Sequence, residues 1–244
     1  MFAALRVFSV FIVLGIGAAA YGGWLLANWN AFDPTTIGVQ GNARVAGGEI
    51  LRRAAIPADR NVWLIDKAAA QRRVEAIPWI RTARIHRALP NGVTIDVTER
   101  EPAGCVEAAS GSYVYLVDDQ ARVLEVGCPP SLAPVFVLAE DAALRPGATL
   151  PSAGVFRRLL ADSRLLASDH IAAARLRLAE FDSLEVTLRS GLIVRFGKDR
   201  DLAEKAGLVD PILRTYGPRA PDLAVIDLRS PTTPVVRERG RPKV

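Results

Sequence analysis

The residues of this 244-residue chain whose types could do chemistry are few. They are His86 and His170, Cys105 and Cys128, and three close carboxylate pairs, Asp118 with Asp119, Glu99 with Glu101, and Glu140 with Asp141. A nucleophilic triad needs a base in reach of a serine or cysteine, and a metal site needs its ligands gathered at recurring intervals. Neither histidine stands in such a spacing. Ser110 and Ser190 lack the Gly-x-Ser-x-Gly elbow. Gly38, Gly41, Gly47 and Gly48 match neither a phosphate loop ending in Lys-Ser/Thr nor the G-x-G-x-x-G register. Neighbouring acids in turn-like sequence are expected to be solvated rather than to work as a general acid and base. His86 falls on the polar side of an expected strand and His170 in a loop. The chemistry these residues leave open is recognition: no catalytic residue, metal ligand or cofactor is expected, and no small-molecule substrate.

Val7 to Trp29 carries no charge and reads as a helix of 23 residues. At 1.5 Å per residue such a helix spans about 35 Å, enough for a hydrocarbon core of about 30 Å with some tilt. Tyr21, Trp24 and Trp29 sit in its second half, where aromatic rings favour the headgroup level. The alternative is a cleaved leader ending at Ala18, Ala19 and Ala20, but the apolar run continues past them through Trp24, Leu25 and Leu26. On either reading the remainder is exported, and the bilayer is a partner through the anchor. Residues 1–6 are then a short cytoplasmic segment, with an upstream extension left open.

Thirty-one Lys and Arg against 26 Asp and Glu give a formal charge of +5, with the basic residues scattered among acids. That mild balance suits an anionic membrane surface. Nucleic-acid binding would call for a basic stripe interleaved with aromatics, so no nucleic-acid partner is expected. An exported location permits a Cys105–Cys128 bond between adjacent strand ends, closing a loop worth about 3 kcal/mol in the chain-entropy model. Two unpaired or buried thiols are the alternative.

Periodicity supplies the elements behind the anchor. Thr36 to Val39 reads as a strand closed by Gly41 and Asn42, and Gly48 to Ala55 as a helix stopped by Ile56 and Pro57. Asp66 caps a second helix with Ala69, Val74 and Ile77 near one face, and Pro78 ends it. Strands follow over Trp79–Leu89 and Val93–Val97, with Trp79 expected to anchor the first of them in the core and Pro90, Asn91 and Gly92 turning the chain between them. Beyond Pro102, Tyr113–Val117 and Arg122–Val126 form one hairpin, and Leu184–Leu188 with Leu192–Phe196 form another across Ser190 and Gly191. Two covering helices interrupt this half, one bearing Val155, Phe156, Leu159, Leu160 and Leu166, the other running from Asp201 to Tyr216. Leu223–Leu228 and Thr233–Val236 are the last strands, and Arg237–Val244 reads as a loose charged tail.

Several motifs in order carry a resemblance: Gly41-Asn42, Asn61-Val-Trp-Leu-Ile-Asp66, Ile77-Pro-Trp-Ile80, Ala83-Arg-Ile-His-Arg87, Leu89-Pro-Asn and Ile95-Asp-Val-Thr-Glu-Arg-Glu-Pro102. Directly behind a lone apolar helix, they resemble the POTRA domain of the FtsQ/DivIB cell-division family. Tyr115-Leu-Val-Asp118, Val123-Leu124, Pro146-Gly147, Gly191-Leu-Ile-Val-Arg-Phe-Gly197 and Ile226-Asp-Leu-Arg229 are similar to that family's β domain. The implied fold is α+β: a transmembrane helix at 7–29, a β-α-α-β-β POTRA domain at 34–101, a mainly antiparallel β domain with covering helices at 102–236, and a flexible tail at 237–244. Asp119-Gln-Ala121 replaces the glycine-containing turn usual in the family, and the cysteines are not a family hallmark.

The resemblance implies a non-catalytic scaffold in the inner membrane, concentrated at the division septum with its C-terminal domains outside. Such a scaffold links early to late division proteins and helps control septal peptidoglycan synthesis. Its POTRA domain takes part in recruitment with other divisome proteins, and the end of its β domain binds FtsB, itself paired with FtsL. Carried over by position, the partner strip comprises Asp227, Arg229, Ser230, Thr233, Val235, Val236 and Arg237. A terminal edge strand offers unpaired backbone groups for β addition, although Pro231, Pro234 and the charged tail could also blunt it. Arg72, Arg73, Arg81, Arg84 and Arg87 read as a solvated basic face, or as one turned to lipid headgroups or to another divisome protein. The rival classes are a POTRA-type adaptor or chaperone module in outer-membrane protein assembly or secretion, and an exported hydrolase.

Overall fold

The computed structural model describes residues 2–27, 34, 36–58, 61–88, 90–108, 113–132, 134–138, 144–198 and 200–239. Two compact units divide the chain, residues 1–100 and 101–244. Trp29, Ser110, Glu140 and Asp141 lie outside the described residues.

The first unit opens with helix α1, Phe2–Ala27, of 26 residues. Its described side chains run from Ile12 to Leu25, and Tyr21 and Trp24 stack on one another with centroids 6.1 Å apart. Among the described residues no helix is long and apolar enough to cross a membrane. Strand β1, Thr36–Gln40, then leads into helices α2, Gly47–Ala54, and α3, Lys67–Glu75, and strands β2, Ile80–Ala88, and β3, Gly92–Glu99. The three strands form one sheet in the order β1-β3-β2, with β1 parallel to β3 and β2 antiparallel to it.

Alternation decides which face the helices cover. Ala83, Ile85, Val93, Ile95 and Val97 are buried with Ile50 and Ala54 of α2 and Ala70 and Val74 of α3. Ala70, not Ala69, carries the apolar face of α3, because it stands four residues before Val74. Asp66 caps that helix as expected, its side chain accepting from the Ala69 N–H at 2.9 Å. Trp79 corrects its expected core role: Ile77 and Ile80 take the interior, and Trp79 packs at the rim beneath the Arg44 guanidinium, 4.0 Å from the ring centroid. Two of the scattered arginines are structural. Arg73 donates to the Ala54 carbonyl at the end of α2, and Arg87 donates to the carbonyls of Val62 and Trp63.

The second unit is a nine-stranded mixed sheet. Its strands are β4, Pro102–Ala108; β5, Val114–Asp118; β6, Val123–Val126; β7, Val135–Leu138; β8, Ala173–Ala179; β9, Ser183–Leu188; β10, Ile193–Gly197; β11, Leu223–Asp227; and β12, Val235–Glu238. They lie in the order β12-β11-β10-β9-β8-β7-β4-β5-β6. The pairs β4·β7, β7·β8 and β10·β11 are parallel and the other five antiparallel. Helix α4, Ala153–Ser168, buries Phe156, Leu159, Leu160 and Leu166, and Phe156 meets Phe136 edge to face at 5.3 Å. Val155, expected on that face, stays exposed.

Three local expectations change. The helix expected over Asp201–Tyr216 is two, α5 at Leu202–Gly207 and α6 at Val209–Tyr216. Pro211 has no N–H to give the Gly207 carbonyl, so the ladder restarts with proline in a first turn. Asp118, expected in solvent, is fully buried; its Oδ1 accepts the N–H groups of Gln120 and Arg122, which closes the turn through Ala121 at φ +66°. The last strand begins at Val235 rather than Thr233, because Ser230–Thr233 folds as a turn and Pro234 cannot donate to a ladder. It runs through Arg237 and Glu238, two positions expected in the tail.

Candidate partner-binding edge

β11 is largely buried, whereas β12 is mostly exposed, only Val236 being half-buried. Leu223, Val225 and Ile226 are buried, and Leu228 beyond them donates its N–H to the Arg195 carbonyl at 2.8 Å, locking the strand end onto β10. β12 pairs antiparallel with β11 in the register Asp227↔Val235, Ile226↔Val236 and Val225↔Arg237. Arg239 fixes its far end, donating its N–H to the Asp222 carbonyl and Nη2 to the Ser190 carbonyl. Among the described residues β12 pairs with β11 alone, so its outer backbone edge is open.

All seven residues of the expected strip fall in this hairpin. Asp227 ends β11 half-buried; Arg229, Ser230 and Thr233 are exposed in the turn; Val235 is 64% exposed, Val236 packs on the core, and Arg237 is exposed. The turn is ordered by its own hydroxyls, Ser230 Oγ lying 3.2 Å from Thr232 Oγ1 and 3.1 Å from Thr233 Oγ1. Arg229 forks onto Asp227, with Nε at 2.9 Å from Oδ1 and Nη2 at 2.6 Å from Oδ2. That side-chain bond holds the Asp227 carboxyl below its ordinary value despite partial burial, and it raises Arg229 in turn.

Beside the hairpin lies a charged depression that sequence reading missed. Arg177, Glu185 and Arg195 align across β8, β9 and β10, with both arginines bonded to the buried Glu185 carboxylate at 2.6 Å and 3.1 Å. Arg229 and Phe181 line the same depression. Phe181 is 88% exposed in the turn between β8 and β9, held at φ +56° next to Asp182 at φ +57°. The available signal was the Glu-Phe-Asp triplet, an aromatic placed where turn residues belong. Lys205 lines an adjoining hollow that shares Phe181 and Arg229 with the first; it is buried and donates Nζ to the carbonyls of Phe196 and Lys198, joining α5 to the end of β10.

Cys105 and Cys128 sit apart from this edge. They form a disulfide with Cα atoms 5.8 Å apart, joining buried β4 to the loop after β6.

The match to known proteins spans both units. An FtsQ-type POTRA domain model covers residues 32–100. The Cell division protein FtsQ of Myxococcus fulvus is 28% identical over 238 residues, 91% of this chain and 80% of that protein. The FtsQ of Streptomyces bingchenggensis is 27% identical over 92% of this chain and 84% of its own length. The chain carries an FtsQ-type POTRA domain and is similar over most of its length to proteins named Cell division protein FtsQ. The Corynebacterium glutamicum FtsQ, 32% identical over 94 residues, covers only 38% of the chain. The first globular part of this chain is thus an FtsQ-type POTRA domain. The chain's open edge strand ends the same large sheet that carries the depression.

Proposed function

We propose that this chain is a non-catalytic scaffold of the division machinery, anchored in the inner membrane by the segment at 7–29 and binding an FtsB/FtsL-type pair along β12. The observation that carries the reading is the open edge of β12, flanked by the Asp227–Arg229 fork and the exposed Val235. A partner strand laid on that edge satisfies its free backbone groups, while Arg229 and the neighbouring depression offer cations and the Phe181 ring to acidic and apolar side chains. Through its POTRA domain the scaffold contacts other divisome proteins, and through the whole assembly it influences septal peptidoglycan synthesis.

The test is crosslinking in growing cells. A photoreactive residue at Val235 is expected to capture a small single-span division protein of the FtsB type, while one at Val126, on the strand at the opposite end of the sheet, does not. Capture of such a protein from both positions or from neither would overturn the reading.

A further inference from the structure

The turn between α2 and α3 presents two large apolar side chains to solvent. Trp63 is 53% exposed and Leu64 54% exposed, while their neighbours Val62 and Ile65 are buried. Residues 61–64 are held by hydrogen bonds. Asn61, itself buried, accepts the Trp63 N–H on Oδ1 at 2.9 Å, and the Leu64 N–H bonds to the Asn61 carbonyl at 2.8 Å. Arg87 holds it from outside, with Nε 2.6 Å from the Val62 carbonyl and its guanidinium 5.4 Å from the Trp63 ring centroid. A fixed turn that keeps Trp and Leu outward beside a cation has the composition of a headgroup-level contact.

The register of the sheet says which end of the POTRA domain carries this pair. Thr36, the first residue of β1, aligns with Gly92, and so does Ala88, the last of β2. Arg87 and Ile37 both align with Val93. Arg87 is thus two strand spacings, about 10 Å, from the start of β1. The turn it clamps therefore stands at the end of the sheet where the chain enters from α1. Eight residues, 28–35, separate Ala27 from Thr36, and they reach at most about 30 Å when fully extended.

The geometry points to a lipid surface as the occupant: Trp63 and Leu64 dock the POTRA domain on the outer leaflet, with Arg87 at the phosphate level. This rests on α1 being the anchor. A leaflet-bound turn would limit the swing of the domain about its tether and so fix the height of its recruiting surface above the membrane.

The test uses the full chain in nanodiscs of phosphatidylethanolamine and phosphatidylglycerol with bromines at a shallow acyl position. Tryptophan emission is compared for the parent, W63F and W24F. W63F is expected to lose part of the bromine-quenched emission, and W24F to lose a separate part. L64S is expected to reduce the share owed to Trp63. If W63F keeps all the quenched emission while W24F loses part, the docking is overturned and the anchor stands. If neither loses any, the anchor has failed and the docking with it.

Discussion

The Glu99 carboxylate at the end of β3 accepts the Val45 N–H at 2.8 Å, across a separation of 54 residues, and it accepts those of Ala43 and Arg44 at 3.0 Å as well. One side chain thereby ties the last strand of the POTRA domain to the segment entering α2. Partial burial pushes this carboxyl up, but the bonds from Val45, Arg44 and Ala43 and the charge of Arg44 outweigh it, so it ionises below its ordinary value. A carboxyl lowered by folding contributes fully above its unfolded value, about 4.3 for Glu, and the contribution fades as pH falls through the folded one. E99Q is expected to cost on the order of 1 kcal/mol at neutral pH, the bonds being largely exposed. Melting curves at a series of pH values check it: the gap between variant and parent should narrow toward acid, and a constant gap refutes the role of the charge.

Gly41 shows a different constraint on the same domain. It holds φ +81°, and a methyl group there would run into the Val97 carbonyl. G41A is expected to destabilise the POTRA domain by about 2 kcal/mol or more, from strain and displacement together. Gly38 is the matched control, since nothing lies within 4 Å of a Cβ at that position. Equal melting of G41A and G38A would refute the argument.

Much of this was legible before the structure, for identifiable reasons. The POTRA elements read out of the sequence because Pro57, Pro78 and the Pro90-Asn91-Gly92 turn punctuate short amphipathic runs. The β9–β10 hairpin read out because its strands alternate on either side of Ser190-Gly191. By contrast β4, β7 and β8 were missed. β7 is a run of only four apolar residues joined in parallel to distant strands, so neither a turn signal nor alternation marks it. The partner strip was placed through resemblance, not through local pattern. Its companion depression stayed hidden because Arg177, Glu185 and Arg195 become neighbours only through strand register.

The disulfide constrains the opposite side of the large sheet. Bridging residues 23 apart restricts the unfolded chain by about 3 kcal/mol in the loop-entropy model. C105A/C128A is expected to lose about that much stability in equilibrium denaturation of the second unit. Cys105 is fully buried, so reductant should act slowly on the folded protein and quickly once denaturant is added. Rapid reduction of the native protein would overturn that account of its shielding.

Arg229 and Val235 separate binding from stability at the open edge. Both side chains are exposed, and the Asp227–Arg229 fork is solvent-facing on the arginine side, so removing either is expected to leave melting nearly unchanged. R229A removes the cation a partner would meet beside the turn, and D227N keeps that cation but frees it from its fixed orientation. V235D puts a charge and a bulk change on the outward side of β12 without touching Val236, which packs on the core. Truncating the chain at Thr233 is a poorer probe, because it also removes the strand covering β11. If the proposed FtsB-type partner binds along β12, R229A and V235D each weaken its capture on the order of tenfold, with D227N between them and the parent. Pull-down titrations and melting curves on the same samples check this together. A variant that binds as tightly as the parent removes its residue from the interface, and one that binds weakly because it melts early shows a structural role instead.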